Sequence, residues 1–149
     1  MAATTYLGNM LLDAFLRGVA PTLPTGLWVA LHTADPTDAG SVAEVDVGAW
    51  PAYVRKSALG GGAIAGAFAA AASKATLSAQ VMLWPAFDGV GSIIISHWSL
   101  WDAVTAGNPL FYGALRVDPS DPDSTLAPKT LGASDEIVLY AGAVGVKVT

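Results

Sequence analysis

The spacing of apolar residues changes period along the chain. Tyr6, Leu7, Met10, Leu11, Ala14 and Phe15 recur at helical spacing behind Thr4 or Thr5, either of which can cap a helix, and Gly18 and Pro21 then stop it. This predicts one short amphipathic helix within residues 1–20. Its polar face lacks the Lys and Arg that membrane-surface helices use, so it is expected to pack on a sheet or on a neighbouring subunit. After Pro24 the period becomes two: Leu27, Val29 and Leu31 alternate with Trp28, Ala30 and His32, as in a strand buried on at least one face. The run from Thr33 to Gly40 ends that strand, with Asp35 before Pro36 and a glycine suited to positive φ.

Further short strands follow. Tyr53, Arg55 and Ser57 alternate with Val54, Lys56 and Ala58, polar on both faces, which predicts an edge strand. Residues 57–74 are rich in Gly and Ala and read as a flexible arm or a strand-and-loop excursion. Ala75 to Trp84 reads as a strand stopped by Pro85. Ser92 to Trp101 is the strongest strand signal, with Ile93, Ile95, His97, Ser99 and Trp101 on one face and Ile94, Ser96, Trp98 and Leu100 on the other, both expected to be covered. Asp102 to Asn108 forms a loop into a hairpin partner, Leu110 to Arg116. An acidic, proline-rich loop occupies 117–130, and two last strands are expected near Glu136 to Tyr140 and Gly142 to Val148. Many short strands with one helix and no βαβ rhythm predict a mainly β fold: a single antiparallel β-sandwich or jelly-roll-like domain over 1–149.

Composition adds a constraint on the surface. Of 149 residues, 53% are hydrophobic and 13% charged, about half the usual ~25% of charged residues. Disorder is excluded, and so apolar a surface is expected to be covered in an assembly. Seven scattered Lys and Arg against twelve Asp and Glu give no electrostatic footprint for nucleic acid or an anionic membrane, so neither partner is expected. The absence of cysteine excludes disulfides and thiol chemistry. Ser57 to Ser73 carries no charge, but its Gly and Ala side chains are too small for a membrane span. The first residues, with Asp13 inside the apolar stretch and no early basic cluster, do not resemble a signal peptide.

Candidate chemistry is sparse. His97 has Ser96 and Asp102 nearby in sequence, but neighbouring strand residues point to opposite faces and there is no G-x-S-x-G elbow, so a hydrogen-bonded sheet histidine is the expected role. His32 with Asp35 and Asp38 lacks zinc-site spacing. Asp118, Asp121 and Asp123 offer calcium-type oxygens without the glycine and terminal glutamate of an EF-hand, which favours a solvated loop. Gly60-Gly61-Gly62 is no phosphate loop, so no cofactor, metal or small-molecule substrate is expected. Of the five tryptophans, Trp28, Trp84, Trp98 and Trp101 lie in or beside apolar strands and read as core or interface. Trp50, in A-W-P-A, reads as a free surface anchor.

Four segments carry a resemblance. L-W-V-A-L-H-T-A-D-P-T-D-A-G-S-V-A-E-V from Leu27, followed by Y-V-R-K-S-A from Tyr53, resembles the front half of a family of small bacteriophage virion proteins often labelled tail-fibre-like. S-H-W-S-L-W-D-A-V-T-A-G-N-P-L-F-Y-G-A-L from Ser96 and L-G-A-S-D-E-I-V-L-Y-A-G-A-V-G-V-K-V from Leu131 resemble its rear half. The resemblance implies a non-enzymatic structural subunit of a tailed phage, located in the virion after assembly in the host cytoplasm. Its expected partners are other tail or capsid proteins, and its expected roles are tail-fibre component or capsid-decorating cement. A homo-oligomer is expected, with a trimer as its form. The expected contact residues are Tyr6, Met10, Leu11 and Phe15 on the helix, Ile64 and Phe68 in the Gly/Ala segment, and Trp50. The alternative is a carbohydrate-binding module reading the host surface through Trp50 and the loops around Asp35 and Asp121.

Overall fold

The computed structural model describes residues 2–121 and 123–147. Its elements in chain order are β1 (Ala2–Ala3), α1 (Thr5–Arg17), β2 (Trp28–His32), β3 (Lys56–Ser57), a 3-10 turn (Ile64–Gly66), β4 (Ala75–Leu77), β5 (Met82–Leu83), β6 (Ile93–Ile95), β7 (His97–Trp101), β8 (Pro109–Ala114), β9 (Lys129–Leu131), β10 (Val138–Leu139) and β11 (Gly145–Lys147). The fold is mainly β with one helix, as the alternating pattern predicts. The expected end of the last strand at Val148 lies outside the described residues.

A five-stranded antiparallel sheet, ordered β1-β8-β7-β2-β3, forms one layer. Its register pairs Val29 with Leu100 and Leu31 with Trp98, so these four side chains share one face, and all are buried. Against that face lie three two-stranded antiparallel ribbons, β4/β11, β5/β10 and β6/β9, which contribute Met82, Ile95, Leu131, Leu139 and Val146 to the same apolar core. The arrangement is sandwich-like, with one large sheet and a second layer of ribbons.

Two predicted strands divide. Ala75 to Trp84 becomes β4 and β5, which pair with different partners, β11 and β10. Ser92 to Trp101 becomes β6, paired with β9, and β7, central in the large sheet, with Ser96 as the break. There the Ser96 N–H bonds the His32 carbonyl and the Leu115 N–H bonds the Ser96 carbonyl, so the chain passes from one layer to the other. Both faces of β7 are covered as expected, but Ile94 on β6 is 53% exposed because a two-stranded ribbon has only one packed face.

The Gly/Ala segment takes the loop form of its two predicted forms. Ala58 and Ala67 are fully buried in the core, and bridges Phe68 to Ser78 and Ala72 to Ala75 tie the loop back to its own downstream strand. β3 is the edge of the large sheet, as its two-sided polarity predicts. The acidic loop is also folded on itself, through a bridge between Arg116 and Leu126, and its end forms β9.

Candidate interaction surface

α1 is staked to the body at one end only. β1 pairs with β8, which places Thr4 beside the start of that strand. The Thr4 N–H bonds the Leu110 carbonyl at 3.0 Å, and its hydroxyl donates to the Pro109 carbonyl at 2.5 Å and accepts the Leu7 N–H at 3.3 Å. Thr4 is therefore a helix cap and a sheet anchor at once. The Thr5 N–H and hydroxyl both reach Asp38, at 3.1 and 2.9 Å. Gly40, at φ +71°, completes this junction; a Cβ there would stand 2.3 Å from the Pro109 side chain, so only glycine lets the 36–40 turn close against β8.

Beyond that anchor the helix stands clear. Leu7 is its one buried residue. Leu12 is 58%, Phe15 83% and Leu16 77% exposed, and Leu23, just past the helix, is 71% exposed. Tyr6 and Leu11 are also exposed, and Met10 is half-buried. Its one ion pair among the described residues, Arg17 to Asp13 at 2.8 Å, lies within the helix and is solvent-exposed. Arg17 in the last turn suits the helix dipole, and Gly18 closes the helix in the left-handed conformation. The result is a contiguous run of exposed apolar side chains at the end of α1 away from its anchor.

The other expected contact residues are placed differently. Ile64 is half-buried on the 3-10 turn, and Phe68 is half-buried against the core. Trp50 is not a surface anchor: it is fully buried, stacked edge-on to Phe87 with centroids 5.7 Å apart and 5.8 Å from Tyr53. The sequence A-W-P-A looks like an exposed loop, but Asp46 accepts the N–H groups of Gly48, Ala49 and Trp50 and turns the chain inward. The glycan platform built on Trp50 loses its aromatic. Trp84, Trp98 and Trp101 are core residues as expected, and Trp28 is half-buried.

A polar network that sequence reasoning missed lies on the far face of the large sheet. The Arg55 guanidinium grips Glu44 with two bonds of 2.7 Å, donates to the Ala103 and Ala106 carbonyls and lies 3.6 Å over the Trp101 ring. Tyr53 accepts the Leu31 N–H at 2.9 Å, and burial pushes its hydroxyl pKa upward. This network pins the β7–β8 loop and residue 44 to β2. The one sequence signal for it is the isolated Arg55 within an edge alternation.

His32 is fully buried beside this network. Its Nδ1 lies 2.8 Å from the Val42 carbonyl and its Nε2 2.6 Å from the Ser99 hydroxyl, which accepts the Trp101 indole N–H at 2.7 Å. A carbonyl only accepts, so Nδ1 carries the proton, and Nε2 then accepts from Ser99. Burial lowers its pKa to about 4 and keeps it neutral. His97 is half-buried, with burial also lowering its pKa, and its Nδ1 is 2.8 Å from the Ser96 hydroxyl. Strand alternation would separate these two side chains, but the break at Ser96 lets them meet. Asp102 is committed elsewhere, accepting the Asn108 N–H and side-chain amide at 2.6 and 2.8 Å, so no Ser-His-Asp relay is assembled.

In the acidic loop, Asp118 accepts from the Ser120 hydroxyl and N–H, which holds its carboxyl below the usual range, and Asp121 accepts the Asp123 N–H. Among the described residues no group of three or more His, Asp or Glu is placed to hold a metal ion. Likewise, no helix is long and apolar enough to cross a membrane.

Comparison with known families matches residues 2–147 to the podophage GP4 fiber I protein gp80 family. The chain belongs to that family. It is therefore a phage fibre-type protein, a structural component of the virion, in agreement with the tail-fibre-like resemblance of its four quoted segments. No curated protein matches the chain.

Proposed function

We propose that this chain is a non-enzymatic subunit of a phage fibre assembly that holds neighbouring virion proteins through the outward face of α1. The observation that carries this reading is the exposure of Leu12, Phe15 and Leu16 on an element whose first turn is locked to the body, with Leu23 exposed just past its end. A helix so anchored presents a preformed apolar ridge, so little ordering entropy opposes its docking. Membership of a fibre family favours the fibre over a capsid-decorating or cement role. A closed homo-oligomer is the simplest arrangement that buries the same ridge on every copy, and a trimer is compatible with it.

The test is incorporation into particles. Phe15→Glu with Leu16→Glu changes side chains that contribute nothing to the subunit core, so the isolated chain should melt within a few degrees of wild type. The same chain should be lost from purified particles. Normal incorporation of this variant would overturn the assignment of α1.

A further inference from the structure

β9 and β10 are consecutive strands joined by residues 132–137, yet they do not pair with each other. Among the described residues β9 pairs only with β6, and β10 only with β5. The result is a splayed hairpin with a slot between its arms. One cavity of about 340 Å³ is lined by residues 129–131 and 135–139. It meets a second of about 410 Å³ that shares Lys129, Val138 and Leu139 and runs on to Leu115 and Tyr140. Both volumes lie in the range of ligand clefts.

The backbone shows what fits there. Trp84 N–H bonds the Ile137 carbonyl, so Ile137 and Trp84 form a hydrogen-bonded pair of the antiparallel ladder. The register Val138 to Leu83 is then a non-bonded pair, and the Val138 N–H and carbonyl point away from β5, toward the slot. The floor is the edge of the core: Leu115, Leu131 and Leu139 are all buried. Tyr140 stands 67% exposed at the rim. Arg116 and Lys129 lie toward one end of the slot, and Asp135 and Glu136 toward the other.

We propose that this slot receives an extended segment of a neighbouring virion protein as an added β-strand. Exposed strand edges pair with extended chains through the main chain, and alternate side chains give specificity. The segment has apolar side chains at alternate positions to pack along this apolar floor and against the exposed Tyr140 ring. It carries an acidic residue at the Arg116 and Lys129 end and a basic one at the Asp135 and Glu136 end. The proposal rests on the virion reading only for the source of the segment.

The test uses the isolated full chain and a library of random seven-residue peptides. Val138→Pro removes the slot-facing donor without breaking a β10–β5 ladder bond, a position where a strand tolerates proline. Peptides enriched on wild type should alternate apolar and polar residues, carry opposite charges at their two ends and bind Val138→Pro at least ~10-fold more weakly. Lys129→Glu, a change at an exposed side chain, should reverse the charge preferred at that end and carries the test if the proline variant does not fold. Peptides that bind all three proteins equally, or no enrichment on wild type, would overturn the proposal. Sedimentation of wild type that shows a dimer abolished by Val138→Pro would give the slot to a second copy, and so also overturn it. The Phe15→Glu, Leu16→Glu variant should bind the peptides normally, which separates a failure of the α1 reading from a failure of this one.

Discussion

Acidification should destabilise this protein through His32. Its pKa is about 6.5 in the unfolded chain and about 4 in the folded one, because the fully buried ring bonds Val42 and Ser99 in its neutral form. Between those values the unfolded state binds a proton that the native state does not, so stability rises with pH. The contribution is complete above pH 6.5 and is lost as pH falls toward 4. At about 1.4 kcal/mol per pH unit, that difference corresponds to roughly 3 kcal/mol, a large part of a typical domain's 5–15 kcal/mol. His97, lowered by partial burial, acts in the same direction. The assay is urea unfolding followed by tryptophan fluorescence at pH 7, 6, 5 and 4. His32→Asn keeps a donor for Val42 and cannot titrate; it should be less stable at pH 7 by about 1–3 kcal/mol and show a flatter profile from 6.5 to 4. A wild-type profile flat across that window, or a slope unchanged in His32→Asn, would refute the reasoning.

Three further outcomes follow from the packing. Trp50→Ala should cost about 3–5 kcal/mol, as for a large buried aromatic, while Trp50→Phe should cost far less because the Trp50 indole N–H has no hydrogen-bond partner; chemical denaturation checks both. Glu44→Gln leaves Arg55 without its carboxylate inside a mostly buried network and should cost about 3 kcal/mol, with faster hydrogen exchange in the 102–108 loop that Arg55 holds. Thr4→Ala removes the cap and the sheet anchor together and should cost about 2 kcal/mol, with increased exchange concentrated in the first turn of α1.

Local patterns with strong periodicity were readable in the chain. The helix begins and ends at the cap residues its sequence offers, Thr4 and Gly18, and β2, β7 and β8 follow their alternating runs. What alternation does not encode is where a run changes partner. Nothing in Ser92 to Trp101 marks Ser96 as the point where one continuous alternating pattern serves two layers, since no glycine or proline interrupts the run there. The Gly/Ala segment is left open by its sequence for a related reason. Small residues suit both a flexible arm and a loop, and composition does not choose between them; with Ala58 and Ala67 fully buried in the core, deleting the segment should destabilise the subunit. Trp50 shows the limit most plainly, because its burial depends on Asp46 turning the chain, four residues away and polar. The Glu44–Arg55 network joins residues eleven apart whose meeting depends on how the 33–45 turn closes. On α1 the apolar spacing picks out Tyr6, Met10, Leu11 and Phe15, whereas the most exposed apolar side chains are Leu12, Phe15 and Leu16, because periodicity does not say which side of a helix the body covers.

Cryo-electron microscopy of purified particles tests the central claim most directly, by showing where this fold sits and what covers α1. The account predicts fibre density that accommodates the subunit with Phe15 and Leu16 buried against a neighbouring chain. Absence of the protein from particles, or its presence with the α1 ridge facing solvent, would contradict it.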